Sequence, residues 1–300
     1  MLCCGMTRCF RSNYFCLVVL MAAAVAWAPR VATAEPQVTP STSNSGAVQP
    51  NEAEAGSDYN GEDITRPESK FEERFEGLTS GTTTRTERES LLLRTDGAIK
   101  LDAGWKFGWL AQLPVVDRNS ITPDPANSVH EFGIGDAAFQ GILSQSINQR
   151  WAYGFGARLV APTGEDALGS GRWQIMPGFG IRYSFLEYGS DTYFVPKIRY
   201  AMSFAGDLSR RNISEPQIAP TLNIGLPNRW FLTLFPSYDV RINYGDPISG
   251  QTGRLFLPFD AAIGAKLSDN FVMSLEASVP IIKDYPVYNF KTELRLAIKL

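Results

Sequence analysis

Three features of the sequence predict an all-β fold, an antiparallel up-and-down transmembrane β-barrel of twelve strands. Apolar residues recur at every second position, the period at which successive side chains point to opposite sides of a strand. In Trp151–Ala161, the residues Trp, Tyr, Phe, Ala, Leu and Ala alternate with Ala, Gly, Gly, Arg and Val. Large apolar groups on one face and small or ionic groups on the other fit a strand between lipid and a wet lumen. Short turns and long loops also alternate along the chain, as they do at the two ends of outer-membrane barrels.

The first 34 residues have the anatomy of a secretory signal peptide. Arg8 and Arg11 form a basic region, residues 16–28 an apolar run, and residues 32–34 (Ala-Thr-Ala) a small-x-small cleavage site. The apolar run is too short to span a bilayer as a helix, and no later stretch reaches about 18 uninterrupted apolar residues. All four cysteines lie before this cleavage site. We therefore expect a mature chain without disulfides, thiolate metal sites or a cysteine nucleophile.

Residues 35–68 are expected to form a disordered acidic tether ahead of a barrel domain over residues 69–300. From Glu35 to Glu76 the chain carries ten acidic and three basic residues, whereas residues 77–300 carry 22 basic and 21 acidic residues. The tether has few large apolar side chains, so it has little to bury against its ordering entropy. The alternative is a binding role, toward the cell wall or a partner.

Alternation predicts the individual strands of the barrel. They cover residues 70–79, 88–99, 105–115, 135–144, 151–161, 172–186, 193–204, 217–226, 230–242, 255–267, 271–282 and 288–300. The segment Lys70–Thr79 is the weakest of them, but a chain exported with its N-terminus in the periplasm needs it as the first upward strand. Without it or with further strands, ten or fourteen are the alternative counts. Prolines at positions 177, 196, 220, 236 and 258 fall inside strands, where we expect bulges or gaps in the ladder.

The sequence offers little for catalysis, and we expect no enzymatic activity, cofactor or metal site. The only histidine, His130, lies two residues after Ser128 in a polar loop over residues 117–131, whereas an outer-membrane lipase or deacylase would place such a pair on a lipid-facing strand with a third, orienting group. The loop pair Glu165-Asp166 could bind a hard cation weakly, but a solvated pair is the simpler interpretation. Gly133-Ile134-Gly135 is not a dinucleotide-binding motif, because no helix follows it.

The candidate functional residues are charged side chains on the predicted lumen face. The basic candidates are Arg158, Arg172, Arg182, Lys197, Arg199, Arg241, Arg254 and Arg295, with Lys266, Lys291 and Lys299 on the same face. The acidic candidates are Asp136, Asp239, Asp260, Glu276 and Glu293. Basic residues thus exceed acidic ones about two to one in this set. Such a lumen is either a conduit whose positive field favours anions or a plug in which Arg and Glu side chains cross-link the strands.

Several short motifs resemble those of the outer-membrane proteins associated with the phenol meta-cleavage pathway. They are Gly133-Ile134-Gly135-Asp136, the run Ala161-Pro162-Thr163-Gly164-Glu165-Asp166, Leu168-Gly169-Ser170-Gly171, and the hairpin 101–113 with Gly104-Trp105. The resemblance covers about residues 71–300. It implies a barrel with a role in passing hydrophobic or aromatic compounds, and it supplies no catalytic residues. Leu300 departs from the terminal aromatic residue usual in such barrels.

Together these patterns predict a passive channel of the cell outer membrane for small solutes, anionic or aromatic ones among them. Its expected partners are outer-membrane lipid, the small-molecule solute and the outer-membrane assembly machinery, with no nucleic acid, and the barrel is expected to be a monomer. A closed structural or adhesion barrel and a soluble periplasmic β-protein are the alternatives.

Overall fold

The computed structural model describes residues 63–81, 85–165, 167–189 and 191–300. The predicted signal peptide and most of the predicted tether lie outside these residues. The strand segments are β1 Lys70–Ser80, β2 Arg85–Lys100, β3 Trp105–Ile121, β4 Val129–Ile134, β5 Ala137–Ser146, β6 Trp151–Ala161, β7 Arg172–Ser184, β8 Tyr193–Gly206, β9 Ser214–Gly225, β10 Trp230–Leu234, β11 Val240–Ile242, β12 Leu255–Lys266, β13 Phe271–Lys283 and β14 Phe290–Lys299. In this described part of the chain, every helix is too short or too polar to cross a membrane.

The segments form one closed antiparallel barrel of twelve strands, as predicted. The barrel closes because β1 pairs with β14, from Lys70 opposite Lys299 to Thr79 opposite Phe290. Segments β4 and β5 are two parts of one strand, since both pair with β3. Likewise β10 and β11 together lie between β9 and β12. The weak candidate Lys70–Thr79 is therefore a strand of the barrel, and it forms one side of the closing seam.

The two faces of strand β7 have the predicted directions. On β7, Trp173 and Phe179 are exposed, whereas Gln174 and Arg182 are buried. A wall with its large apolar groups outside and its polar groups inside is the pattern of a barrel in lipid. A closed barrel with an apolar outer surface confirms the prediction that the protein lies in the outer membrane.

The hairpin formed by β3 and β4 extends into residues 117–131, which were predicted to form a loop. Strand β3 continues to Ile121, and β4 begins at Val129, so that Asp117 pairs with Phe132 and Arg118 with Glu131. The alternation rule depends on one face being apolar. Above the lipid both faces of a hairpin can meet water, so the pattern that identifies strands disappears.

The predicted strand 230–242 is interrupted by a bulge, here called the inward bulge, at residues 235–239. Between the pairs Leu234–Leu222 and Val240–Ile218 lie five residues on this strand but three, residues 219–221, on β9. Phe235 has a positive φ of 51°, and Pro236 has no backbone donor for the ladder. A bulge re-aims the side chains of its strand, and here it directs residues 237–239 into the lumen.

Residues 63–68, which the composition placed in the tether, lie inside the barrel. Asp63 and Thr65 are buried, and Ile64 packs over Gly154 and Gly180, where the absence of side chains leaves room. The prediction considered only what this segment could bury by itself. The lumen wall instead supplies partners for its charged and apolar groups, so ordering it costs less than composition implied. We call residues 63–68 the lumen segment.

Candidate functional site in the barrel lumen

A cavity of about 320 Å³ lies inside the barrel, bounded by the strand walls, the lumen segment and the inward bulge. This volume is within the range of small-molecule sites, about 300–1,000 Å³. Eight basic and six acidic residues line it. They are Arg66, Lys70, Arg74, Arg94, Arg158, Arg199, Arg241 and Lys291, and Asp63, Glu68, Glu76, Asp96, Asp239 and Glu293.

One side of the lumen is filled by a network of opposite charges that crosses the closing seam. Glu72 is fully buried and accepts from Arg74, while guanidinium nitrogens of Arg94 and Arg295 each lie 3.6 Å from Glu72 Oε1. Arg74 Nη1 also lies 3.5 Å from Glu293 Oε1, across the seam between β1 and β14. Buried charges destabilise a fold unless they are paired. The network therefore ties the first and last strands together from within the lumen.

A second part of this network surrounds Lys291. Its Nζ atom lies 2.6 Å from Asp239 Oδ2 and 4.0 Å from Asp260 Oδ2, and it contacts Glu276 Oε1. Carboxylate oxygens of these three acids lie within 4.8 Å of one another, a spacing that could hold a metal ion. The Lys291 ammonium already stands at the point where a cation would be attracted. The arrangement is accordingly an ion-pair network with lysine as its cation.

The opposite side of the lumen has a different composition. Strands β5–β8, all of whose residues the structure describes, contain no acidic residue. Their basic residues are Arg158, Arg172, Arg182, Lys197 and Arg199. Arg158 Nη2 donates to Gln112 Oε1 at 3.1 Å, and Arg199 Nε donates to Gln217 Oε1 at 2.6 Å. The lumen is thus electrically two-sided, and we call the inward faces of β3 and β5–β8 the cationic wall.

The cationic wall also presents aliphatic side chains to the cavity. They are Leu110 on β3, Ile142 on β5, Val160 on β6 and Met176 on β7. The ring of Tyr238 reaches the same cavity from the inward bulge, with Arg199 Cζ 4.2 Å and Lys197 Nζ 5.2 Å from its centroid. Cations at these distances are attracted by the face of an aromatic ring.

The eight basic and five acidic candidates among the predicted lumen residues separate into three groups. Those that line the cavity are Arg158, Arg199, Arg241, Asp239 and Glu293. Those that are buried elsewhere in the barrel wall are Arg172, Arg182, Lys197, Arg295, Asp260 and Glu276. The remaining two lie apart from the cavity. Arg254 is exposed in the loop before β12, with its guanidinium carbon 5.2 Å from the ring centroid of Tyr244, and the Asp136 carboxylate accepts hydrogen bonds from Gly164 and Ser170.

The predicted excess of basic over acidic residues is smaller in the structure. Among the described residues, buried basic and acidic side chains number seven each: Arg66, Lys70, Arg172, Arg182, Lys197, Lys291 and Arg295, against Asp63, Glu72, Glu215, Asp239, Asp260, Glu276 and Glu293. The prediction omitted the charged inward faces of β1 and β2. Period two was visible there in Phe71 and Phe75, and extending it would have placed Glu72 and Arg74 in the lumen.

Comparisons with known proteins give a family and a fold. A model of the family described as "Putative MetA-pathway of phenol degradation" matches residues 74–279. The COG4313 outer membrane channel from Pseudomonas putida F1 is similar in structure, with 15% identity and a TM-score of 0.63 over 85% of this chain and 100% of that chain. The β domain of the Bordetella autotransporter BrkA has 10% identity and a TM-score of 0.48 over 78% and 100%. The KdgM porin has 10% identity and a TM-score of 0.39 over 77% and 99%. No curated protein matches the chain.

Proposed function

Because the chain belongs to this phenol-degradation family and forms a twelve-stranded barrel of the outer membrane, we propose that it is a passive channel for small solutes with a preference for anions. The observation that carries the proposal is the lumen cavity of about 320 Å³ with charged and polar groups on its wall. A barrel that served only as a scaffold would have no need of such a space. A conduit needs it, together with groups that compensate a solute for the water it loses.

The preference for anions follows from the cationic wall. Strands β5–β8 carry five basic residues and no acidic residue, and Asp63 of the lumen segment lies against one of them, Arg182. The remaining basic residues give that side of the lumen a positive field, whereas the acids of the strands are concentrated around Lys291 and the closing seam. Fixed charges in a confined, partly dehydrated space act more strongly than surface charges, which salt screens within about 8–10 Å. A charged ring in a pore selects ions on the same principle.

A closed structural barrel is the second candidate, and the lumen segment favours it. Asp63, Ile64 and Pro67 occupy space inside the barrel, and the network around Glu72 fills one side. In that case the cavity would be a space between cross-linked side chains rather than part of a path.

Single-channel recording on the full chain in planar bilayers distinguishes the two candidates. A channel gives discrete conductance steps, and a variant lacking residues 35–68 gives larger ones because the lumen segment is gone. Silence from both proteins, each shown to be folded by heat-modifiable gel migration, would support the closed barrel and contradict the channel.

A further inference from the structure

The aliphatic residues of the cationic wall are not explained by the passage of simple ions. Leu110, Val160 and Met176 face the lumen and border the cavity together with Arg158 and Arg199. The inward face of a barrel strand is normally polar, and apolar surface gains free energy when it is covered by another apolar group. Aliphatic groups beside guanidinium groups therefore match a solute that has an apolar part and a negative charge.

The inward bulge places an aromatic ring in the same space. Tyr238 lines the cavity, and the Arg199 guanidinium lies against its ring at 4.2 Å. The ring contact restricts where the guanidinium can point, and the hydrogen bond to Gln217 restricts it further. A fixed guanidinium binds a carboxylate with less loss of side-chain freedom than a mobile one.

The contacts of the lumen segment show which chemical groups the cationic wall can bind. Asp63 Oδ2 lies 3.4 Å from Arg182 Nη1, and the neighbouring Ile64 side chain packs over Gly154 and Gly180 of the same wall. The wall thus holds the carboxylate of Asp63 with a basic side chain, and it holds the neighbouring aliphatic side chain of Ile64 where glycines leave the backbone uncovered. This pair is an intramolecular example of an amphipathic carboxylate bound inside the barrel.

We infer that the cationic wall binds an amphipathic organic anion, a carboxylate on a compact apolar body, as the solute of this channel. The carboxylate is held by Arg158 and Arg199, and the apolar body lies against Val160 and Met176 with the Tyr238 ring on its other side. The inference deepens the proposed function. That the bound anion is a transported solute rests on the channel proposal, whereas binding itself can be tested without transport.

Calorimetric titration of the full chain, folded in detergent, provides the test. Cyclohexanecarboxylate is the probe, acetate is the same charge without the apolar body, and cyclohexylammonium is the same body with the opposite charge. Each titration is corrected for the heat of the probe with empty micelles. We expect cyclohexanecarboxylate to bind at least about tenfold more tightly than either of the others, because only it meets both kinds of group.

Variants locate the site. Arg199→Gln and Arg158→Gln each remove one guanidinium and should weaken cyclohexanecarboxylate binding about tenfold or more, the usual loss for a hydrogen bond to a charged group. Arg254→Gln removes the same charge from the exposed loop before β12 and should leave binding unchanged. Two lumen variants are used so that a folding failure of one, detected by gel migration, leaves the other to decide.

The failures of the two proposals are distinguishable. Equal affinity for acetate and cyclohexanecarboxylate, or unchanged binding in whichever lumen variants fold, would overturn the binding site even if the barrel conducts chloride. A barrel that binds the probe as expected but never conducts would overturn the channel and leave the binding site in place.

Discussion

Asp136 and Ser170 are joined by two hydrogen bonds although 34 residues separate them in the chain. Asp136 Oδ2 accepts from the backbone nitrogen of Ser170 at 2.7 Å and from its hydroxyl at 2.6 Å. The other carboxylate oxygen, Oδ1, accepts from the backbone nitrogen of Gly164 at 3.0 Å. The Gly133–Asp136 motif and the motifs within 161–171 therefore form one structural unit. It holds the loop after β6 against the break between β4 and β5.

Replacing Asp136 with Asn should destabilise the barrel without changing its ion selectivity. Asparagine loses the charge and one acceptor, at a cost of about 1–3 kcal/mol, and Asp136 does not line the cavity. Urea unfolding in lipid vesicles measures the stability. Asp269→Asn is the control, because Asp269 is an exposed partner of Arg229 in a turn. A changed reversal potential with unchanged stability would instead show that Asp136 contributes to ion selectivity.

Placing Arg at Phe179 should destabilise the barrel by about 2–4 kcal/mol if the position lies near the bilayer midplane. Phe179 is 42% exposed on the lipid-facing side of β7. Gly180→Ser is the matched change on the lumen side and should be mild for folding, since the atom that it approaches most closely is the end of the Ile64 side chain. Equal tolerance of both changes in a lipid folding assay would contradict the assignment of the two faces.

Replacing Lys291 with Met should be among the most damaging changes in the lumen. It leaves Asp239, Glu276 and Asp260 buried without their shared ammonium group, and breaking a buried pair typically costs about 3–5 kcal/mol. Lys299→Met is the control. Lys299 pairs with Glu68 in a half-exposed position, where loss of the pair costs about 0–1 kcal/mol. Similar unfolding midpoints for the two variants would contradict the described network.

Deleting residues 35–62 and deleting residues 35–68 should have different effects. Both proteins should fold, because β1 begins at Lys70 and its pairing with β14 and β2 does not involve residues before it. Only the longer deletion removes Asp63 from Arg182 and empties the lumen segment's space, so it should give a higher conductance than the shorter deletion. Loss of heat-modifiable migration in the longer deletion would show that the lumen segment is needed for folding.

Where apolar and other residues alternate strictly along a strand, the sequence predicts both the strand and the face on which each side chain lies. On β7 a continuous apolar face from Trp173 to Phe179 opposes a mixed face that includes Gln174, Met176 and Gly178, and the direction of every side chain follows from this difference. On β1 the outward face is broken by Glu73, whose strand partners are Leu93 and Leu296. That break made the strand look weak and left Glu72 and Arg74 out of the predicted lumen.

Other parts of the site depend on contacts that no local pattern contains. Pro236 predicts an irregularity, but the direction of Tyr238 is set by the two extra residues of the inward bulge relative to β9. The lumen segment is polar in composition and becomes ordered through Arg182, Gly154 and Gly180, which lie far along the chain. The balance of lumen charges likewise requires both sides of the closed barrel to be known.

The central claim is tested most directly by the reversal potential of the full chain across a potassium chloride gradient. The cationic wall predicts a potential of the sign that marks chloride as the more permeant ion. It also predicts that Arg158→Glu combined with Arg199→Glu moves the potential toward cation preference. A cation-preferring parent, or a potential that the double variant leaves unchanged, would contradict the account.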